Sequence, residues 1–351
     1  MKVFDLQTLI RPSIARVKPY SSARDEFHGQ ALVYIDANEN PNPTAFNRYP
    51  NPHQHTLKQR LSEIKQVPED QLFIGNGSDE VIDLILRAFC EPGLDQIIVC
   101  QPTYGMYAVS AAINNVEVIG VSLEDDYDMN VAALAGRATE RTKVIFLCSP
   151  NNPTGNLLSK GKVIQLIQQF RGLVVIDEAY IDFSEDMGFV PYLSQYPNLI
   201  ILQTLSKAWG LAGLRLGIGI ASPSIVGVLN RIKPPYNISS VSQELALKAL
   251  ANEARTRTWI SEIIKERKRL EKELIGLPGV EKVHPSDANF LLVKVEAAKA
   301  AYQYLISRGI VVRDRSDVAL CGGCLRITVG TPHENDLLLQ AWRQFLTPHE
   351  K

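Results

Sequence analysis

Between about residue 70 and residue 222 the chain alternates short β-branched runs with helical patterns, and that rhythm constrains the fold more than any other feature. The runs are "LFIG", "QIIVC", "VEVIGVSL", "KVIFLCSP", "GLVVIDEAY", "LIILQTLSK" and "LRLGIGIAS". Most are apolar without alternation, as a strand buried on both faces requires. Separated by helical segments, they predict an α/β fold: a mostly parallel seven-stranded sheet covered by helices on both faces.

After "KPPYNISS" the pattern turns helical, and "TRTWISEIIKERKRLEKELIGL" reads as one long amphipathic helix carrying many Glu and Lys pairs. Strand ("NFLLVKV"), helix ("AAKAAYQYLISRG"), strand ("IVVRDRS"), strand ("CLRITVG") and helix ("HENDLLLQAWRQFL") follow, a smaller α+β unit. The expected organisation is an N-terminal arm with part of the small domain over residues 1–45 and a large α/β domain over 46–250. A small C-terminal domain with its connecting helix takes 251–351.

Charge excludes some partners. With 37 basic and 38 acidic residues the net charge is −1, and no basic run is present to draw in nucleic acid or an anionic membrane. Asp5, Arg11 and Arg16 interrupt the first apolar stretch, and no later run reaches spanning length, so a cytoplasmic protein is expected. Five cysteines at low density do not suggest a disulfide framework, and "CGGC" at Cys321 and Cys324 has no second pair with which to hold a metal.

In a doubly wound sheet, ligands bind beyond the carboxyl ends of the strands. After "LFIG", Gly75 and Gly77 permit a tight turn, and Ser78 or Asp79 opens a helix whose free N–H groups suit a phosphate. After "QIIVC" stands Tyr104, whose face can cover a flat ring or simply pack in the core. After "KVIFLC", the double Asn of "SPNNPTG" forms a rigid turn that aims an amide inward. Asp177 ends an apolar strand, where a carboxylate needs a cation or donors. Ser206 and Lys207 follow "LIILQTL", in a glycine-rich segment that reaches Arg215 eight residues later. A desolvated lysine attacks aldehydes, and an arginine fork grips a dianion. Singly, Lys207 can snorkel and Arg215 can form a structural ion pair. Together, at strand ends, these groups match pyridoxal 5'-phosphate: aldehyde to Lys207, phosphate to Arg215 and the helix start, ring nitrogen to Asp177, ring face to Tyr104.

The ordered segments "DANENPNP", "NRYP", "GNGSDE", "RAFCEPG", "PTYGMY", "CSPNNPTG", "DEAYIDF", "TLSKAWGLAGLRLG" and "GCLRITVGT" run over almost the whole chain. It resembles the fold-type I aminotransferases, and more narrowly the histidinol-phosphate aminotransferase family. The resemblance implies that Lys207 forms the Schiff base and that Asp177 pairs with the pyridinium nitrogen. Asn152 and Tyr180 would bond the ring oxygen. Ser78, Asp79 (through its backbone N–H), Thr204, Ser206 and Arg215 would hold the phosphate. Tyr49 of "NRYP" would reach the cofactor of the other subunit, implying a homodimer. Arg326 would bind the substrate carboxylate, and Tyr20 and Arg313 the phosphate of the substrate, with Asn152 also on the substrate side. The activity implied is ping-pong transamination between L-histidinol phosphate and 2-oxoglutarate or glutamate, in histidine biosynthesis. A broad aromatic aminotransferase and an amino-acid-phosphate decarboxylase share the same cofactor residues and remain alternatives.

Overall fold

A computed structural model describes residues 4–19 and 32–346. The seven expected runs all form strands: β1 (Leu72–Asn76), β2 (Gln96–Gln101), β3 (Glu117–Ser122), β4 (Thr142–Cys148), β5 (Leu173–Asp177), β6 (Leu199–Thr204) and β7 (Leu216–Ala221). They make one sheet in the order β1-β7-β6-β5-β4-β2-β3. Only β7 runs against the direction of the other strands, antiparallel to β1 on one side and β6 on the other. The reason lies in the connection. A parallel crossover needs a dozen or more residues, usually a helix, whereas residues 205–215 between β6 and β7 hold only a short 3₁₀ turn at Ala212–Leu214, so the chain doubles back.

The two faces of the sheet are read directly from the period of two. In β5, Val174 and Ile176 join one core while Leu173 and Val175 join the other; in β6, Leu199 and Ile201 face the first and Ile200 and Leu202 the second. Leu57 and Leu61 of helix His55–Lys65 and Val163, Leu166 and Ile167 of helix Lys160–Gln169 cover one face. Val81, Ile82 and Ile85 of helix Ser78–Phe89 and Ile225, Val228 and Leu229 of helix Pro223–Ile232 cover the other. Each such side chain contributes about 1.5–3 kcal/mol when fully buried, enough for this core to carry a few costly polar groups at its edge.

The long helix appears as Glu253–Ile275 and leads to a second sheet of β8 (Val280–Val283), β9 (Phe290–Val295), β10 (Arg313–Asp314) and β11 (Cys324–Thr328). Its order is β10-β11-β9-β8, antiparallel throughout. Leu291, Val293, Leu325 and Ile327 pack on one face against Ala301, Leu305, Leu339 and Trp342 of helices Ala298–Ser307 and Pro332–Leu346. Phe290, Leu292 and Cys324 turn the other way and join the core of the large sheet. The expected strand "IVVRDRS" shrinks to two residues, because its start is stripped of cover: Val311 is 81% exposed. Strand β8 was not anticipated; its "VEKV" does not alternate, because a bulge between Val280 and Lys282 lets Val280 and Val283 oppose Val295 and Val293 while both charged residues stay exposed.

Candidate active site

Register brings the strand-end residues into line. Cys148 pairs with Asp177, Asp177 with Leu202, Thr204 with Gly217, and Leu216 with Asn76, so the C-terminal ends of β1, β4, β5 and β6 meet the start of β7. One cleft at that edge is lined by Ser78, Asp79, Tyr104, Asn152, Asp177, Tyr180, Thr204, Ser206, Lys207 and Arg215, together with Gly77, Cys148 and Ala179. Every cofactor-side residue expected from one chain is therefore present in it.

At one end is the start of helix Ser78–Phe89. Gly77 takes the N-cap position at φ +81°, a left-handed conformation suited to glycine, and no side chain caps the first N–H groups. Gly217 explains how β7 comes so close: a Cβ there would strike the Ser78 nitrogen. Arg215, at φ +54°, accepts the Gly77 N–H through its carbonyl at 2.7 Å. Its guanidinium is exposed and only 3.6 Å from the Asp79 carboxylate, which also accepts the Tyr104 hydroxyl at 3.1 Å. Thr204 accepts the Ser206 N–H and donates to the Leu216 carbonyl, fixing the turn that precedes Lys207. The uncapped N–H groups, the Ser78 and Ser206 hydroxyls and the Arg215 guanidinium form a donor set for a phosphate, while the Thr204 hydroxyl is engaged with the Leu216 carbonyl.

At the other end, Asp177 is 2% exposed. Its carboxylate accepts the Tyr107 hydroxyl at 2.7 Å and the Ala179 N–H at 3.0 Å. Burial raises its pKa to about 6 in spite of these donors, so a cationic partner would be welcome there. Tyr107 was not among the expected residues. It lies three positions after Tyr104, stacked on Phe146 with ring centroids 4.9 Å apart, and its spacing reads as core packing.

Lys207 is not buried in the apolar segment as its sequence context suggests. It is exposed to the cleft, with Nζ 5.7 Å from the centroid of the Tyr180 ring. Its pKa is lowered, first by loss of solvent within the cleft and then by Arg326. Tyr180 is 7% exposed and packs edge-on against Phe290 at 5.1 Å, so a residue of the second sheet supports it.

The double Asn divides its work. Asn151 is tied into the turn through the Pro102 carbonyl and the hydroxyls of Thr154 and Thr103. Asn152 Oδ1 accepts from Arg326, whose guanidinium lies 5.2 Å over the Phe290 ring. Arg326 Nε is buried without an acceptor. Arg313 stands directly opposite Arg326 in the ladder and is exposed. Among the described residues it forms no ion pair: Asp317 contacts Lys299, and Asp314 accepts the Ser316 N–H.

Tyr49 lies outside the cleft of its own chain. It is half exposed, stacked on Tyr236 at 4.4 Å, and its N–H donates to Glu39 at 2.6 Å. Tyr20 lies outside the described residues. All five cysteines are free thiols and buried. No helix among the described residues is long and apolar enough to cross a membrane.

The donors present fit pyridoxal 5'-phosphate: a lysine of lowered pKa, a buried carboxylate, an uncapped helix start with an arginine, and an aromatic wall share one cleft. Comparison with known proteins agrees. The family model for class I and II aminotransferases matches residues 28–341. A histidinol-phosphate aminotransferase of Parabacteroides distasonis is 57% identical over 97% of this chain and 98% of its own length. One of Cytophaga hutchinsonii is 51% identical over 97% of this chain and 99% of its own. The solved histidinol-phosphate aminotransferase of Sinorhizobium meliloti in complex with pyridoxal-5'-phosphate has a TM-score of 0.78 at 26% identity, covering 85% of this chain and 82% of that one. The chain belongs to the class I and II aminotransferase family.

Proposed function

We propose that this protein is a pyridoxal-phosphate-dependent transaminase that exchanges an amino group between L-histidinol phosphate and 2-oxoglutarate in histidine biosynthesis, working as a cytoplasmic homodimer. The observation that carries the reading is the shared cleft: Lys207 and Asp177 on one sheet edge, an uncapped helix start beside Arg215, and Arg326 reaching in from the second sheet. The near-full-length relatives of the same name support the choice of substrate.

In this reading Lys207 holds the cofactor aldehyde, Asp177 its ring nitrogen, Asn152 and Tyr180 its ring oxygen, and Tyr104 its face. Ser78, Asp79 through its backbone N–H, Thr204, Ser206 and Arg215 hold its phosphate. Bound there, the group supplies an electrophilic carbon for the substrate amine and a ring that takes up the electron pair left when the α-proton departs. Lys207 Nζ, with its lowered pKa, would accept that proton at the substrate's α-carbon and deliver it to the carbon that had been the cofactor aldehyde. Asp177, braced by Tyr107 and the Ala179 N–H, would hold a carboxylate for the ring nitrogen. Arg326, held by Asn152 through one terminal nitrogen, has its other terminal nitrogen unpaired among the described residues and turns that one to the anionic end of either substrate. The amino donor and acceptor occupy this one pocket in turn, which gives ping-pong kinetics.

The homodimer is supported by the segment before helix His55–Lys65. Leu32 is 101% exposed and Ile35 91%, with Phe46 and Tyr49 also open, an apolar surface that a second copy would cover. The division into an arm at 1–45, a large domain at 46–250 and a small domain at 251–351 belongs to the same proposal. It is supported by the separate core around Leu291, Leu325 and Trp342.

Absorbance of the purified protein tests the function. The cofactor band should bleach with histidinol phosphate or glutamate and return with 2-oxoglutarate, and borohydride should fix the cofactor to the peptide bearing Lys207. A label on another lysine, or bleaching by aromatic amino acids with none by histidinol phosphate, would overturn it.

A further inference from the structure

Strand β10 formally ends at Asp314, yet its ladder continues by one step, because the Arg315 N–H donates to the Cys324 carbonyl at 2.9 Å. Opposed residues on antiparallel strands share a face, as do residues two apart along one strand. Arg313 opposes Arg326, so Arg313, Arg315, Cys324 and Arg326 all lie on the face that Phe290 and Leu292 turn toward the large sheet and its cleft. Arg315 Nε is buried with no acceptor, and so are Arg326 Nε and the neighbouring Ser316 Oγ. Among the described residues no carboxylate forms an ion pair with any of these arginines, since Asp317 is taken by Lys299 and Asp314 by a backbone N–H. Burial, followed by the nearness of Arg326 and Arg313, lowers the pKa of Arg315. Guanidiniums gathered with no ion pair among the described residues are unfavourable in the free protein, and a bound anion would relieve them.

We propose that Arg315 is a third guanidinium of the substrate-anion subsite, a specificity determinant that reads the second negative charge of a phosphate monoester. The inference rests on the reading of substrate given above and deepens it. A carboxylate carries a single charge, which the fork of Arg326 satisfies; a phosphate brings an extra oxygen and an extra charge. The additional guanidinium therefore favours histidinol phosphate over glutamate, although one pocket accepts both.

The test uses the cofactor-loaded enzyme with Arg315→Gln and Arg315→Lys, following each half-reaction by absorbance and adding inorganic phosphate as a competitor against glutamate. For Arg315→Gln, the specificity constant for histidinol phosphate should fall about ten- to a hundredfold, as expected for a lost charge-assisted contact, with glutamate changing less than about threefold. The inhibition constant of inorganic phosphate should rise about tenfold, and Arg315→Lys should recover part of both losses. Equal losses for the two substrates with an unchanged phosphate constant would make Arg315 a packing residue and overturn the proposal. Should Arg315→Gln fail to fold, Arg315→Lys bears the same comparison. If the wild type itself ignores histidinol phosphate, the reading of substrate fails, while the phosphate constant still decides the role of Arg315.

Discussion

The Tyr107 hydroxyl donates to Asp177 Oδ2 at 2.7 Å, with both residues buried beneath the cleft. The bond aims the carboxylate and helps keep it ionised where burial works against charge. Tyr107→Phe keeps the ring stacked on Phe146 and removes only the donor. We expect α-proton removal to slow about tenfold for both amino donors, in line with roughly 1–2 kcal/mol for one such bond, with KM little changed. Single-turnover absorbance measures this; an unchanged rate would show that the Ala179 N–H alone suffices.

Asp177 also ties stability to pH. Its pKa in the folded chain is about 6, against about 4 when unfolded, so folding favours the protonated form. The contribution is full below about pH 4 and is lost as pH rises through 6. Glu178, raised to about 7 by burial, acts in the same sense, whereas buried His284, lowered to about 4, acts in the opposite one. The profile of the whole protein mixes all of them, but the difference between parent and Asp177→Asn isolates one. In the cofactor-free protein the variant should gain on its parent by about 1–3 kcal/mol between pH 4 and pH 8. Denaturant unfolding at the two pH values checks it, and a difference constant with pH would refute it. The loaded variant should lose α-proton removal by orders of magnitude, because an amide cannot offset a protonated ring nitrogen.

Much of this site could be read from the sequence because its residues sit at strand ends, and strand ends in an apolar α/β pattern are easy to find. Asp177 and Lys207 stand out since a charged group beside "LVVI" or "LIILQTL" has no cheap explanation. Tyr107 was hidden for the opposite reason: a tyrosine three positions from another on a helix is ordinary packing, and only the fold places its hydroxyl under Asp177. Arg315 was hidden because charges at the end of an edge strand such as "IVVRDRS" are ordinarily solvated, and only the β10–β11 register puts Arg315 on the same face as Arg326. Local pattern also misjudged length. "IVVRDRS" reads as a strand, but at a sheet edge with Val311 exposed it keeps ladder pairing only at Arg313 and Asp314.

Tyr49 supplies a test of subunit sharing. It stacks on Tyr236 and lies outside the cleft of its own chain, so its expected partner is the cofactor phosphate of the second copy. Lys207→Ala and Tyr49→Ala chains, each weakly active or inactive alone, should regain up to about a quarter of parental activity when refolded together, the share of sites with both native residues. Activity in a demonstrably monomeric sample, or no recovery in mixed dimers, would remove Tyr49 from the shared site.

Arg326 and Arg313 face each other across β10 and β11 but differ in their surroundings, and the difference sets what each should do. Arg326 is half-buried, held by Asn152 through one terminal nitrogen and stacked on Phe290, with its other terminal nitrogen unpaired among the described residues. Arg313 is exposed and makes no ion pair among the described residues. Glutamate reacts with its α-carboxylate present, whereas histidinol phosphate lacks one and brings a phosphate, so the residue that both substrates need must be the fixed one. Arg326→Ala should therefore lower the specificity constant in both half-reactions by about ten- to a hundredfold. Arg313→Ala should weaken reaction with histidinol phosphate by a similar factor while leaving glutamate within about threefold, because an exposed guanidinium adds most where there is a second charge to meet. Measuring each half-reaction separately by cofactor absorbance distinguishes the two. If Arg313→Ala harms both substrates equally, or neither, the phosphate is bound by other residues and the selectivity of the pocket needs a different origin.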